Sequence, residues 1–250
     1  MLQVKSAVIE FGVGLRALDG VNFSVEAKLS HALLGSNGSG KTSLFNAICG
    51  YYRLKEGSIH LDGRDLGRLK SHERAALGVG RSLQSVAAIQ ELTPREYIAV
   101  GLHTPRRYLD FLLPTPGILR ANKAELQQAG DLLRDVGLHR YADTPLQVCP
   151  YGVRKLVDVV RVFAGKPKLA LLDEPSSGVS NSDKPGLAEL IRNESSRSQS
   201  CMILIDHDIE FVRQLCPTAT VLAGGKVIAE GRLNQILHNQ DVIATFLGQA

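Results

Sequence analysis

Two short stretches of this 250-residue chain carry side chains whose types and spacing can do chemistry. The first, Gly35-Ser36-Asn37-Gly38-Ser39-Gly40-Lys41-Thr42, matches the glycine-rich phosphate loop at every defined position. A triphosphate is a dense anion. Successive backbone N–H groups wrap it only where the chain bends tightly, and glycine permits those bends. A helix starting near Lys41 aims its positive end at the phosphates. Lys41 is then placed to reach the β- and γ-phosphates and the Thr42 hydroxyl to bind Mg²⁺, with Ser43 completing the nucleotide-binding set. The second stretch, Leu169-Ala170-Leu171-Leu172-Asp173-Glu174-Pro175, puts two carboxylates at the end of an apolar strand. Ligands of open parallel sheets sit at such ends. Asp173 is placed to hold Mg²⁺ directly or through water, and Glu174 to polarise an attacking water as general base. A glycine-rich turn or a strand-end Asp alone is unremarkable. The two together, in this order, make ATP and Mg²⁺ the expected ligands.

The elements around them have the matching rhythm. Ala32-Leu33-Leu34 reads as a buried strand running into the loop, and 43–49 has helical spacing behind it, with Leu44 and Ile48 four apart. Leu169 to Leu172 and Met202 to Ile205 are wholly apolar, as central strands covered on both faces are. Helical patterns lie between them, predicting a central parallel sheet. The first thirty residues read as strands: Val21, Phe23 and Val25 alternate with polar neighbours, after a turn at Asp19-Gly20. Ser58 to Leu61 with Asp62-Gly63 reads as a strand and turn. From Pro94 to Ala142 helical stretches such as Lys123 to Val136 dominate, broken by a loop at Pro114 and Pro116. Ser195 to Ser200 reads as an exposed loop before the next strand. Gly224-Gly225 reads as a turn, and the tail as a helix ending near Phe246.

Composition sets the frame. The chain is 44% hydrophobic and 22% charged, with a net charge of +4, which is ordinary for a globular protein. No dense basic block points to nucleic acid. The four cysteines, Cys49, Cys149, Cys201 and Cys216, lack metal-site or redox spacing and fit a reducing compartment. The N-terminus lacks the apolar centre of a signal peptide, and no apolar run approaches the roughly 18 residues of a membrane span, so a role at a membrane would run through a partner.

With the phosphate loop and Asp173-Glu174 in place, the chain resembles an ABC ATPase over its whole length. The resemblance implies an α/β P-loop fold with a central parallel sheet, an N-terminal antiparallel β subdomain and a helical subdomain. It forms one unit, in which 1–83 and 160–250 are the catalytic core and 84–159 the helical part. Gln84, in Arg81-Ser82-Leu83-Gln84, falls on the family glutamine that touches Mg²⁺ and the attacking water. His207, in Leu204-Ile205-Asp206-His207-Asp208, falls on the histidine that contacts the γ-phosphate. Phe11 falls where an aromatic ring stacks on adenine. The segment that grips a partner chain's nucleotide is represented by Cys149-Pro150-Tyr151-Gly152-Val153, where Tyr151 and Gly152 resemble the branched-chain amino acid and urea importer class. Its usual serine is absent, and Val153 stands where a polar residue is usual. Ser177-Gly178-Val179-Ser180 also departs from the family's turn after the second carboxylate.

By the same resemblance, two ATPase chains, identical or different, pair head to tail on transmembrane permease subunits. The permease meets Ser85 to Glu91, and a solute-binding protein acts indirectly. That places the chain on the cytoplasmic face of a membrane, powering import of branched-chain amino acids, urea or similar polar solutes. Three other readings stand beside it. Asn122-Lys123-Ala124-Glu125 is similar to a guanine-reading motif but has Glu where Asp is needed. A soluble non-transport ABC ATPase usually carries two cassettes or a coiled-coil insertion. An ATP-binding regulatory module with weak hydrolysis would suit the altered segment but not the intact Lys41, Asp173, Glu174 and His207. The phosphate loop yields the first prediction: Lys41→Ala loses most ATP affinity in an equilibrium binding titration, and parental affinity in the variant would remove the loop from the site.

Overall fold

A computed structural model describes residues 1–12, 14–82, 91–102, 123–239 and 242. Its framework is two sheets. An antiparallel sheet holds β1 (Leu2–Phe11), β2 (Leu15–Val25), β4 (Glu56–Leu61) and β5 (Arg64–Asp65) in the order β2-β1-β4-β5. The central sheet runs β10-β9-β3-β8-β7-β6. It is built from β3 (Ser30–Gly35), β6 (Val79–Arg81), β7 (Leu169–Asp173), β8 (Cys201–Ile205), β9 (Thr218–Ala223) and β10 (Lys226–Arg232). All its pairings are parallel except the β9–β10 hairpin. The helices are α1 (Lys41–Cys49), α2 (Ser71–Ala76), α3 (Pro94–Leu102), α4 (Lys123–Asp135), α5 (Tyr151–Ala164), α6 (Lys184–Ser198), α7 (Ile209–Leu215) and α8 (Leu233–Ile236).

The apolar runs at 169–173 and 201–205 are buried at every position because they face hydrophobic layers on both sides. Successive strand residues point to opposite faces. Leu169, Leu171 and Ile203 therefore join Leu44, Phe45 and Ile48 of α1 and the inner face of the antiparallel sheet. Ala170, Leu172, Met202 and Leu204 join Leu187 and Ile191 of α6 and Phe211 of α7. A third cluster is helical, with Tyr97 and Ile98 of α3, Ala129 and Leu133 of α4, and Val157 and Val160 of α5. Helix α5 also sends Val159 and Phe163 into the cluster beneath the central sheet. A division at 159/160 thus falls inside a helix that serves the sheet and the helical part at once.

Several sequence expectations change. Asp19-Gly20 is not a turn but a bulge inside β2: the pairs Ala7↔Val21 and Ile9↔Leu18 leave an extra residue on β2, and Gly20 takes φ 72° to accommodate it. Ser195 to Ser198 are the last turn of α6, not an exposed loop. Ser198 Oγ donates back to the Glu194 carbonyl at 2.8 Å, and buried Ser200 donates to the Pro167 carbonyl at 2.6 Å, so serines read as loop formers satisfy the helix end and the turn. Helix α1, by contrast, begins at Lys41 as the phosphate loop requires, because Gly40 ends the loop in a left-handed conformation. The segment containing Pro114 and Pro116, and the tail at Phe246, lie outside the described residues.

Helix α1 is stopped by Gly50 at φ 83° and by buried Arg74 of α2, whose guanidinium donates to the carbonyls of Ala47 and Ile48. No helix among the described residues is long and apolar enough to cross a membrane.

The strand that delivers the phosphate loop is held by a buried histidine. His31 of β3 meets Thr218 and Thr220 of β9 through both ring nitrogens, each at 2.9 Å. Burial lowers its pKa from 6.5 to about 4. A base whose folded pKa lies below its unfolded one contributes stability that is fully present above the unfolded pKa and lost as pH falls below it. Between pH 6.5 and 4 the unfolded chain binds the extra proton. Acidification to pH 5 should therefore remove about 2 kcal/mol through this group. The urea midpoint of the parent should drop further between pH 7 and pH 5 than that of His31→Gln. Equal drops would show that His31 does not drive the acid sensitivity.

Candidate functional site

The phosphate loop has its shape because there is no room for any other. A Cβ at Gly35 would stand 2.3 Å from the Leu222 carbonyl oxygen, and Gly35 sits at φ 149°. A Cβ at Gly40 would stand 2.5 Å from the Ala17 carbonyl oxygen and 2.9 Å from Leu18 Cδ2, at φ 108°. The loop is thus wedged between β2 and the β9–β10 hairpin, and the Gly225 N–H donates to the Ser39 carbonyl at 3.1 Å. Asn37 and Gly38 form the open tip, with Gly38 at φ 78° and open space where a Cβ would stand. Lys41 Nζ donates to the carbonyls of Gly35 at 2.7 Å and Ser36 at 2.8 Å and lies 3.5 Å from Ser39 Oγ. Burial pushes the Lys41 ammonium down from its ordinary pKa, while the Glu174 and Asp173 carboxylates push it back up. Thr42 is exposed and Ser43 half-buried on the first turn of α1.

The carboxylates end β7. Asp173 is buried, and burial pushes its carboxyl up while the Arg81 guanidinium pulls it down. Arg81 Nη2 lies 3.1 Å from Asp173 Oδ2, and Arg81 Nη1 donates to Asn46 Oδ1 of α1 at 2.6 Å. The Asp173 N–H donates to Ser82 Oγ at 2.8 Å. Arg161 of α5 donates to the Arg81 carbonyl and is itself paired with Asp158 at 2.9 Å. Glu174 leaves the strand with φ 50°, in the left-handed region. Its Oε1 lies 3.1 Å from His207 Nε2. The loop bearing His207 is stiffened by Asp206, which accepts from Ser176 N at 3.0 Å, Ser176 Oγ at 2.7 Å and Asp208 N at 3.0 Å. Asp208 in turn caps α7 through the Phe211 N–H.

The structure therefore gathers the loop 35–43, Asp173, Glu174 and His207 around the carboxyl ends of β3, β7 and β8. Gln84 lies outside the described residues, as do 85–90. Phe11 is not a core residue: it is 40% exposed at the end of β1, edge-on to Tyr52 with ring centroids 5.1 Å apart. Tyr151 and Gly152 start α5, and the Tyr151 ring packs on the turn after β7, where a Cβ at Gly178 would stand 2.6 Å from Tyr151 Cε1. Val153 is half-buried and packs on the helical cluster, which accounts for an apolar residue there. Sequence reading missed Arg81, Asn46 and Asp206. Nothing local marks Arg81 or Asn46, because each meets its partner only across the fold. For Mg²⁺ the donor set fits: the Thr42 hydroxyl and the Asp173 carboxylate are hard oxygen ligands at adjoining chain ends, and Arg81 takes up Asp173 Oδ2.

Comparison with known proteins agrees with this architecture. Residues 18–177 match the ABC transporter family model. The chain is 32% identical to the high-affinity branched-chain amino acid transport ATP-binding protein BraF of Pseudomonas aeruginosa, covering 100% of this chain and 98% of the relative. It is equally similar, with the same coverage, to LivG of Escherichia coli, described in the same words. Among solved structures it resembles a nucleotide-free ATP-binding cassette from an ABC transporter (TM-score 0.84, 27% identity, 98% of both chains). It also resembles the ADP conformation of an ATP-binding cassette of an ABC transporter (TM-score 0.83, 28% identity, 99% and 98%).

Removing one partner of a buried ion pair strands the other charge, at about 3 kcal/mol or more. Arg81→Met should therefore lower unfolding stability by about that amount in urea. Adding Asp173→Asn should recover part of the loss, because no buried charge is then left unpaired. A double variant less stable than Arg81→Met would show that the pair is not the source.

Proposed function

We propose that this chain, which belongs to the ABC transporter family, powers the import of branched-chain amino acids or similar polar solutes. It is an ATP-binding, ATP-hydrolysing transporter subunit. The solute class is our reading from its full-length similarity to relatives named for branched-chain amino acid transport. Partnership with a second cassette and with a permease, and attachment at the cytoplasmic face through that permease, follow from the same reading. Residues 85–91 would form the permease contact.

The observation that carries the mechanism is the Glu174–His207 contact, 3.1 Å long, at the strand end beside the Lys41 loop. In our reading the loop's N–H groups, the start of α1 and Lys41 hold the β- and γ-phosphates and offset the charge that builds there. Thr42 and Asp173, with Gln84, would hold Mg²⁺, which neutralises phosphate charge when bound. Glu174 takes a proton from water as its oxygen attacks the γ-phosphorus. The bond from that phosphorus to the ADP oxygen breaks, and ADP and inorganic phosphate leave. His207 orients the Glu174 carboxylate and meets the γ-phosphate. Phe11, with an exposed face, is the candidate for stacking on adenine, and Tyr151 and Gly152 for the face turned to a partner's nucleotide.

Glu174→Gln tests this reading. It keeps the shape and removes the base, which general-base catalysis values at about 10²–10⁴ in rate. The variant should bind ATP like the parent, lose steady-state ATPase by that factor in the assembled complex, and abolish uptake of labelled leucine in cells. Unchanged ATPase would overturn the role of Glu174. Leucine uptake that persists beside a lost ATPase would overturn the solute assignment.

A further inference from the structure

Helix α5 reaches the backbone of Glu174 through a residue that no motif picks out. Lys155 lies one turn into α5 on its buried side, 9% exposed. Its Nζ donates to the backbone carbonyl of Glu174 at 3.0 Å and sits 5.7 Å from the Tyr151 ring centroid. The Ser177 N–H donates to the same carbonyl at 3.2 Å. On the other side of Glu174, its own N–H donates to the Ile205 carbonyl at 2.8 Å. Both peptide groups flanking Glu174 are therefore fixed from outside: one by the end of β8, the other by α5 and the turn.

That restraint has a task. Glu174 adopts φ 50° immediately before Pro175. A side chain with a Cβ pays about 1–2 kcal/mol for the left-handed region, and such a conformation persists only where its surroundings over-determine it. From this backbone the carboxylate meets His207 Nε2 at 3.1 Å. A buried ammonium bonding a carbonyl is stronger than a neutral hydrogen bond, and the Tyr151 ring stabilises the charge. Tyr151 itself bears on Gly178 in the turn that follows Glu174, where φ is 72° and a Cβ would collide with the ring. The start of α5 thus meets the segment that follows β7 at two points, the Glu174 carbonyl and Gly178.

We propose that Lys155 is a positioning residue for hydrolysis: it holds the Glu174 carbonyl so that the left-handed backbone keeps the carboxylate on His207. The geometry of hydrolysis then depends on where the start of α5 sits. The proposal rests on Glu174 being the general base.

The test uses the purified full chain, with equilibrium binding of a fluorescent ATP analogue and single-turnover hydrolysis of ATP. Lys155→Met keeps the length of the stem and removes the donor. Its hydrolysis rate should fall about tenfold or more, the scale of one charged hydrogen bond, while affinity for the analogue stays within about twofold of the parent. Lys155→Arg restores the donor and should recover most of the rate. Because Lys155 acts through Glu174, Lys155→Met should add no further loss to Glu174→Gln. Lys155→Gln, measured in parallel, should show the same pattern and serves if the methionine variant does not fold. A parental rate in these variants would overturn the proposal. So would affinity falling in step with rate, failure of arginine to rescue, or a loss that multiplies in full on the Glu174→Gln background. Parental turnover in Glu174→Gln alone would instead sink the general-base reading beneath it.

Discussion

A carboxylate buried at the end of a strand must find a cation or give up its charge, and the arrangement around Asp173 answers that requirement. Its side chain is 1% exposed, and the charge opposite is Arg81, whose other donor is tied to Asn46 of α1. The helix that begins at the phosphate loop and the strand that ends in Asp173 and Glu174 are therefore fixed to one guanidinium. Arg161 of α5 extends the link by holding the Arg81 carbonyl, and the Tyr97 hydroxyl of α3 donates to Asp158 at 2.6 Å beside it. A chain of charged groups thus runs from the helical cluster to the sheet end. Moving one member without the others would leave a buried charge unpaired.

The phosphate loop obeys a steric version of the same logic. Gly35 and Gly40 are required because backbone from β9 and β2 lies 2.3 and 2.5 Å from where a Cβ would stand. Close packing fixes the path of the loop backbone, and the Lys41 ammonium is held against the loop by the carbonyls of Gly35 and Ser36. The bulge at Asp19-Gly20 belongs to this packing, since the Asp19 N–H donates to the Gly225 carbonyl at 2.8 Å and ties β2 to the hairpin behind the loop. What looks in sequence like a surface turn is one of the contacts that hold the loop in place.

Helix α5 makes the fold one body rather than a core with an appendage. It is hydrophobic toward the sheet at Val159 and Phe163 and toward the helical cluster at Val157 and Val160. Its first turn carries Tyr151 and Lys155 to the segment around Glu174. A surface expected to face a partner's nucleotide thereby bears on the backbone of this chain's own Glu174 and on the turn that follows it.

Much of this was legible in the residues alone. The glycine spacing before Lys41-Thr42, the wholly apolar runs ending at Asp173 and Ile205, and their order along the chain specified a parallel sheet with a phosphate loop. Local backbone freedom and hydrophobic periodicity are written residue by residue, so sequence reports them. Serine and glycine were misread at 19–20 and 195–200, because the same residue serves a turn, a bulge or a helix end according to what packs against it. Arg81, Asn46, Asp206 and Lys155 were invisible for a stronger reason. Each acts on a group far away in the chain, and a hydrogen bond between Lys155 and Glu174 or between Arg81 and Asp173 exists only once the sheet and α5 have brought them together. The sequence by itself marked the groups whose types and spacing can do chemistry; tertiary structure decided which cations hold them in place, since the burial that creates the need for a partner arises only on folding.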